Sequence, residues 1–186
     1  MNWKYVILIV STALGLEAKM RTACAQSDSH LIDSLVREGK LNEIRDLLKS
    51  EAELVDRKNE SGFTPLILSA YLGHDAIVGA MAPLSQNIDY QSSYGTALMA
   101  AAVKGHRSCA AQLLDAGADP NLQDQSGNTA LIYASMFEME DLVRLLLEHK
   151  ARKDLKNDKG FSAADYAKLH KNTALRILLD TSLQNQ

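Results

Sequence analysis

The chain has 186 residues, within reach of one domain or a short repeat array, and its 46% hydrophobic and 23% charged residues are ordinary for a soluble globular protein. A formal charge of −3 provides no basic footprint, which argues against nucleic acid as a partner. Aromatics at 5% suit thin stacked layers better than one thick core.

The first residues differ from the rest. Met1-Asn2-Trp3-Lys4 precedes the apolar run Tyr5–Leu16, and a polar stretch then ends in Ala23-Cys24-Ala25. That is the order of a secretory signal peptide, with cleavage placed after Ala25 and a cut nearer Ala18 as the alternative. A predominantly apolar run of twelve residues falls short of the roughly 20 that cross a bilayer as a helix. Residues 1–25 therefore read as a cleaved signal, leaving no membrane attachment in the mature chain. Arg21 stands where a lipoprotein signal wants an aliphatic residue, which argues against lipidation. Cleavage removes Lys4, Lys19, Arg21 and Glu17, taking the formal charge from −3 to −5. It also removes Cys24, so Cys109 remains alone and the exported domain must be held by packing rather than by a disulfide. A bacterial periplasm suits a bridge-free exported domain better than an animal extracellular space.

After a polar leader at Gln26–His30, Leu31–Gly39 has apolar residues at helical spacing and closes on a glycine. Leu41–Leu48 repeats the pattern, so the two form an αα-hairpin. Beyond Asp56–Ser61 comes Gly62-Phe63-Thr64-Pro65-Leu66. Thr64 is a natural N-cap and Pro65 a natural first helical residue, because the N–H that proline lacks has no helical partner there. The helix Pro65–Leu72 stops at Gly73-His74, and a second helix runs to about Leu84. The start recurs at Gly95-Thr96-Ala97-Leu98, Gly127-Asn128-Thr129-Ala130-Leu131 and Gly160-Phe161-Ser162-Ala163-Ala164. Successive caps Thr64, Thr96, Thr129 and Ser162 are 32, 33 and 33 residues apart. Periods of this length mean stacked supersecondary units, none able to bury its apolar face alone.

These residues resemble the ankyrin-repeat family, with its Thr-Pro-Leu-His-x-Ala helix start, Gly-His turn and Gly-Ala-Asp-x-Asn loop. The resemblance spans about residues 29–182 and is strongest at Gly105-His106 and Gly117-Ala118-Asp119-Pro120-Asn121. It implies an all-α repeat solenoid of about five helix-turn-helix units with β-hairpin or loop fingers, at about 29–58, 59–91, 92–123, 124–156 and 157–186. The helix-start histidine is replaced by Ile67, Met99, Ile132 and Asp165. Ser85–Asp89 departs from the loop pattern, and Glu138-Met139 replaces Gly-His in the fourth unit. Lys150 stands where a loop glycine belongs; a side chain held in the left-handed region costs roughly 1–2 kcal/mol, which predicts a reshaped loop there. The tip Ser92-Ser93-Tyr94 is one residue short. The end units diverge most, as caps facing water should.

Nothing in the pattern argues for catalysis, a metal or a cofactor. Histidines 30, 74, 106, 149 and 170 lack metal-site spacing, and His74 and His106 share one place in the repeat, where an imidazole can bond neighbouring loops. Cys109 takes the place of Ile77 and Leu142 and reads as a buried, inert thiol. Ser108 lacks both an elbow glycine and an orienting acid. Glu51/Glu53 and Glu138/Glu140 read as solvated helix ends. The resemblance implies instead a concave, protein-contacting face made by inner helices and finger tips. The pairs read as closing each inner helix, Tyr71-Leu72, Val103-Lys104, Met136-Phe137 and Lys168-Leu169, are apolar or aromatic at six of eight positions. Tyr90 and Tyr94 are added from the tips. Such a stripe marks an interaction site unless its side chains tuck into the seams between units. The negative charge favours a basic rim on the partner, chiefly through association rate.

The leading functional reading is a monomeric, non-enzymatic binding module in the periplasm that serves one partner protein. Resemblance to small exported bacterial proteins associated with periplasmic catalase function suggests an assembly or protective factor for an exported enzyme, in oxidative-stress defence. The alternatives are an immunity protein neutralising a periplasm-delivered toxin, and a self-associating structural protein.

Overall fold

A computed structural model of the chain describes residues 30–180. The signal peptide expected at 1–25, its cleavage site and residues 181–186 of the last repeat lie outside the described residues. The described chain forms α1 (30–37), α2 (Leu41–Ser50), α3 (Pro65–Leu72), α4 (Asp75–Met81), α5 (Ala97–Lys104), α6 (Arg107–Asp115), α7 (Ala130–Met136), α8 (Glu140–Glu148), α9 (Ala163–Leu169) and α10 (Thr173–Leu179). Among the described residues there is no β-strand. The helix read as reaching Leu84 closes as a 3₁₀ turn, Ala82–Leu84, because Pro83 has no N–H to continue the ladder.

The helices stack in two rows. One row is α3 on α5 on α7 on α9, the other α2 on α4 on α6 on α8 on α10. The inner row is apolar almost all round: Pro65–Ala70 and Ala97–Ala102 are buried without a break, as befits helices flanked on both sides. The outer row is amphipathic, with α8 burying Leu142, Val143, Leu145 and Leu146 while Asp141, Arg144 and Glu148 face water. The end helices bury little, only Ile44 and Leu48 in α2, and Leu175 and Leu179 in α10.

Local chemistry sets each helix start. Thr64, Thr96 and Thr129 accept at Oγ1 from the backbone N–H of Ile67, Met99 and Ile132. Ser162 does the same for Asp165, whose carboxylate accepts in return from the Ser162 N–H at 3.0 Å. That reciprocal capping box holds the Asp165 carboxyl below the usual carboxylate range, first through the Ser162 N–H and then its hydroxyl. Helix ends share a six-residue closure, such as His106 N–H to Ala101 O and Gly105 N–H to Ala102 O. The closing residue is left-handed at Gly73 and Gly105, and also at Glu138, Lys150 and Lys171.

The loop at Lys150 is therefore not reshaped. Lys150 N–H donates to Leu147 O and Ala151 N–H to Leu146 O, the same closure that Gly117 and Ala118 make one unit earlier. Burial of Ala151 and these two bonds outweigh the local strain at φ 64°. Lys150→Gly should release that strain. Set against glycine's extra freedom in the unfolded chain, the net gain is about 0.5–1 kcal/mol, or a melting temperature higher by roughly 1–4 °C in scanning calorimetry. An unchanged or lower value would mean that the Lys150 side chain itself stabilises the loop.

The fingers are turns rather than continuous hairpin ladders. Asn59, Asp124 and Asn157 each open one, with N–H bonds from Asn59 to Phe63 O, Asp124 to Asn128 O and Asn157 to Phe161 O. Their side-chain oxygens accept from the turn's own backbone, as in Ser61 and Phe63 N–H to Asn59 Oδ1. Turns so short leave room only for isolated bridges, at Ser92–Gly95 and Lys156–Ser162. In the short finger Ser92 pairs directly with Gly95. The residue missing is the one that follows the glycine elsewhere, namely Phe63, Asn128 and Phe161.

Candidate protein-binding face

The units are locked together before any face is presented. Along the loops, Asp56, Asp89 and Asn121 accept from the next unit's backbone at Gln86, Asp119 and Arg152, at 2.7, 3.0 and 2.7 Å. Burial pushes the Asp89 carboxyl above its ordinary pKa; the Asp119 N–H opposes the rise and the Asp119 charge adds to it. Along the helix turns, a Cβ at Gly73 would come within 2.6 Å of the His106 ring, and the His74 ring lies in the same way beside Gly39. The two histidines thus pack on glycines of the preceding unit. Met139 plays that part against Gly105. Glu138 meets the last unit through polar contacts instead: its carboxylate accepts from Asn172 Nδ2 at 3.0 Å and lies 3.6 Å from His170 Nδ1.

Chemistry-bearing side chains are spent on this frame. Cys109 is fully buried in the core and its thiol is pushed up to about 11 by burial and then by Asp75, so it stays protonated at neutral pH. Tyr133 is held as a neutral donor to Asp124 Oδ2, its pKa raised to about 12 by burial first and the Asp124 carboxylate second. Among the described residues no three His, Cys, Asp or Glu gather as a metal site. No described helix is long and apolar enough to cross a membrane.

Four of the exposed large apolar groups lie at the ends of the inner helices, the others among the described residues being Leu31, Leu84, Tyr94, Phe161 and Ile177. Tyr71 is 45% exposed, Phe137 48% and Leu169 64%, with Leu72 exposed beside them. Val103 and Met136 are half-buried, and Met136 packs on the core. Lys104 lays its ammonium 4.5 Å from the centre of the Tyr71 ring.

Counting from the left-handed closing residues corrects the register of the last pair. Gly73, Gly105, Glu138 and Lys171 are equivalent, so Tyr71-Leu72 corresponds to Leu169-His170 and not to Lys168-Leu169. Lys168 sits one step earlier, its Nζ 3.9 Å from Asp165. Tyr90 is not a tip residue either. Its hydroxyl donates to Gly62 O at 3.2 Å, Lys58 covers its ring, and it packs on the core. Tyr94 is at a tip, 72% exposed and stacked on Phe63 with ring centres 5.4 Å apart.

Three of the expected residues, Tyr71, Tyr94 and Val103, line a common groove of about 680 Å³ between fingers and inner helices. Its other walls come from groups that the sequence pattern had not singled out: Arg37, Phe63, Ala100, Asp124 and Tyr133. A readable signal existed for Ala100. Its equivalents, counted from the caps, are Leu68, Tyr133 and Tyr166, so the third unit presents a methyl where its neighbours present large side chains.

Stacked helix pairs joined by turn-closed fingers define a helical repeat scaffold. The family model described as ankyrin repeats in three copies matches residues 20–124 and 98–186. The chain belongs to the ankyrin-repeat family. It is 37% identical over 126 residues to an ankyrin repeat-containing protein of Treponema pallidum, covering 66% of this chain and 42% of that one. It is 41% identical over 87 residues to an ankyrin repeat protein of Acanthamoeba polyphaga mimivirus, covering 46% and 21%. A mouse ankyrin repeat and SAM domain-containing protein is 39% identical over 112 residues, covering 58% and 13%. The chain thus spans less than half the length of these relatives. Repeats of this family generally mediate protein–protein interaction.

Proposed function

We propose that the chain is exported to the periplasm and there binds one partner protein through the concave face of inner-helix ends and fingers, as a non-enzymatic assembly or protective factor for an exported enzyme. One observation carries the binding reading: Tyr71, Leu72, Phe137 and Leu169 stand exposed at equivalent or adjacent repeat positions. An apolar stripe on a scaffold whose buried rows are already filled has no packing task left, and exposed stripes of this kind mark contact surfaces. The order of charged, apolar and small residues in Met1–Ala25 supports export. Met136→Glu with Phe137→Ser should leave the melting temperature within a few degrees, because Phe137 is exposed and Met136 only half-buried. It should abolish affinity capture of the partner from the native compartment. Undiminished capture would remove the concave face as the site. The intact mass of the exported protein is expected to lack residues 1–25, and a retained Met1 would reject processed export.

A further inference from the structure

Within that groove the geometry points to one kind of partner segment: an extended stretch that seats a large apolar side chain against Ala100 and sets an acidic residue towards Arg37 and Lys104. The inference rests on the concave face being the binding face, and it adds the chemistry of what binds there.

Two departures of the third unit coincide at this spot. Ala100 replaces the large side chain present at Leu68, Tyr133 and Tyr166, and the finger above it lacks the residue that Phe63, Asn128 and Phe161 supply in the other fingers. Both open the same groove, whose floor is apolar and whose walls include the stacked Phe63–Tyr94 pair and Tyr71. Its size falls in the range of binding pockets and suits one aromatic side chain with its flanking peptide.

Charge selects the flank. Among the described residues, Arg37 and Lys104 meet no carboxylate within ion-pair distance. Both are exposed, and Lys104 lies over the Tyr71 ring. The acids nearby have hydrogen-bond or close polar partners of their own, although Asp124 on the groove wall keeps its charge beside Arg37. Asp124 accepts from Tyr133 Oη and from the Ser126 and Asn128 N–H groups. Glu38 accepts from the Ser34 hydroxyl, and Glu60 lies 3.7 Å from His30. The net negative charge acts on approach, but beyond roughly 8–10 Å salt screens it. At contact the available cations decide, and they favour an acidic neighbour.

The test uses capped heptapeptides in amide chemical-shift titrations of the ¹⁵N-labelled protein. The first carries phenylalanine between two aspartates, flanked by serine and glycine; a second has lysines for the aspartates, a third alanine for the phenylalanine. The first should saturate with shifts at Tyr94, Ala100 and Val103, and the other two should bind at least about tenfold more weakly. Ala100→Leu, which copies Leu68, should occupy the seat against Ala100 and remove binding. Arg37→Glu, at an exposed site, should weaken the acidic peptide and strengthen the basic one, which keeps the test decisive if the leucine variant fails to fold. Equal or tighter binding of the lysine peptide, unchanged binding by a folded Ala100→Leu, or no saturation of the first peptide would overturn the inference. Phenylacetate binding as tightly as the first peptide would overturn it in favour of a small anionic aromatic ligand. If the peptides fail while Met136→Glu with Phe137→Ser still abolishes partner capture, the groove inference falls and the concave-face reading stands.

Discussion

Gly127→Ala is expected to cost about 3 kcal/mol, and Gly160→Ala about half of that. Both glycines sit at the same place in a finger turn with nearly the same left-handed backbone, φ 73° and 79°, so both substitutions carry the roughly 1–2 kcal/mol of left-handed strain. They differ in surroundings. A Cβ at Gly160 would meet nothing within 4 Å, whereas at Gly127 it would lie 2.9 Å from the backbone N of Asp158 and 3.0 Å from Asn157 Cα. Main chain cannot swing aside as a flexible side chain does. It is fixed here by Asp158 N–H donating to Ser126 O at 3.0 Å and by Asn157 Nδ2 donating to Asn128 Oδ1 at 2.9 Å. Relieving the contact means separating two fingers, an overpacking cost of about 1–3 kcal/mol on top of the strain. Chemical denaturation of both variants checks the difference. In heat, the Gly127 variant should melt roughly 6–12 °C below the parent. Equal losses would show that the fingers are not in rigid contact.

The repeat frame was legible because its geometry demands particular residue types. A helix start needs an oxygen at the cap, which Thr64, Thr96, Thr129 and Ser162 supply, and a left-handed helix end favours glycine. At the last inner helix, where glycine was absent, reading by residue type lost its place. With Lys171 as the closing residue, nothing in the local pattern marked the end of α9, and the last exposed pair was set one residue early at Lys168-Leu169. Lys150 shows the reverse failure, in which the rule was sound but the cost of about 1–2 kcal/mol was small beside the burial and bonds that the closed loop gains. The candidate face was legible as a stripe, because positions before each turn share a side of the solenoid. The sequence pattern places Tyr90 at a tip although it precedes the Ser92–Gly95 turn; its packing against Gly62 O and the core comes from the neighbouring unit and leaves no local trace. The groove at Ala100 was harder still. A cavity belongs to four neighbouring units together, and its single-chain trace is one small residue in a column of large ones.

Asn157→Ala is expected to cost about 2–4 kcal/mol and Asn157→Asp less than about 1 kcal/mol, on the worth of buried hydrogen bonds. Asn157 is buried and uses both ends of its amide. Oδ1 accepts from the Lys159 and Phe161 N–H groups at 3.1 and 3.0 Å, and Nδ2 donates to Asn128 Oδ1 and to Tyr166 Oη at 2.9 and 3.1 Å. Alanine would leave the finger's two N–H groups without their acceptor and Asn128 Oδ1 without its donor, inside a packed seam. Aspartate keeps the acceptor for the backbone, and the remaining contacts can reverse. Tyr166 can donate to the new carboxylate as Tyr133 does to Asp124 one unit earlier, and the Asn128 amide can turn its Nδ2 inward. Asp124 is thus the protein's own precedent for the substitution. The loss should be local, since the last units are coupled to the rest only through their neighbours. Hydrogen exchange on the alanine variant should accelerate in α9 and α10 while α3 to α6 keep their protection. Uniform acceleration along the chain would show that the solenoid unfolds as one cooperative block, and an aspartate variant as unstable as the alanine one would show that the Nδ2 donors, rather than the backbone acceptor, hold the seam.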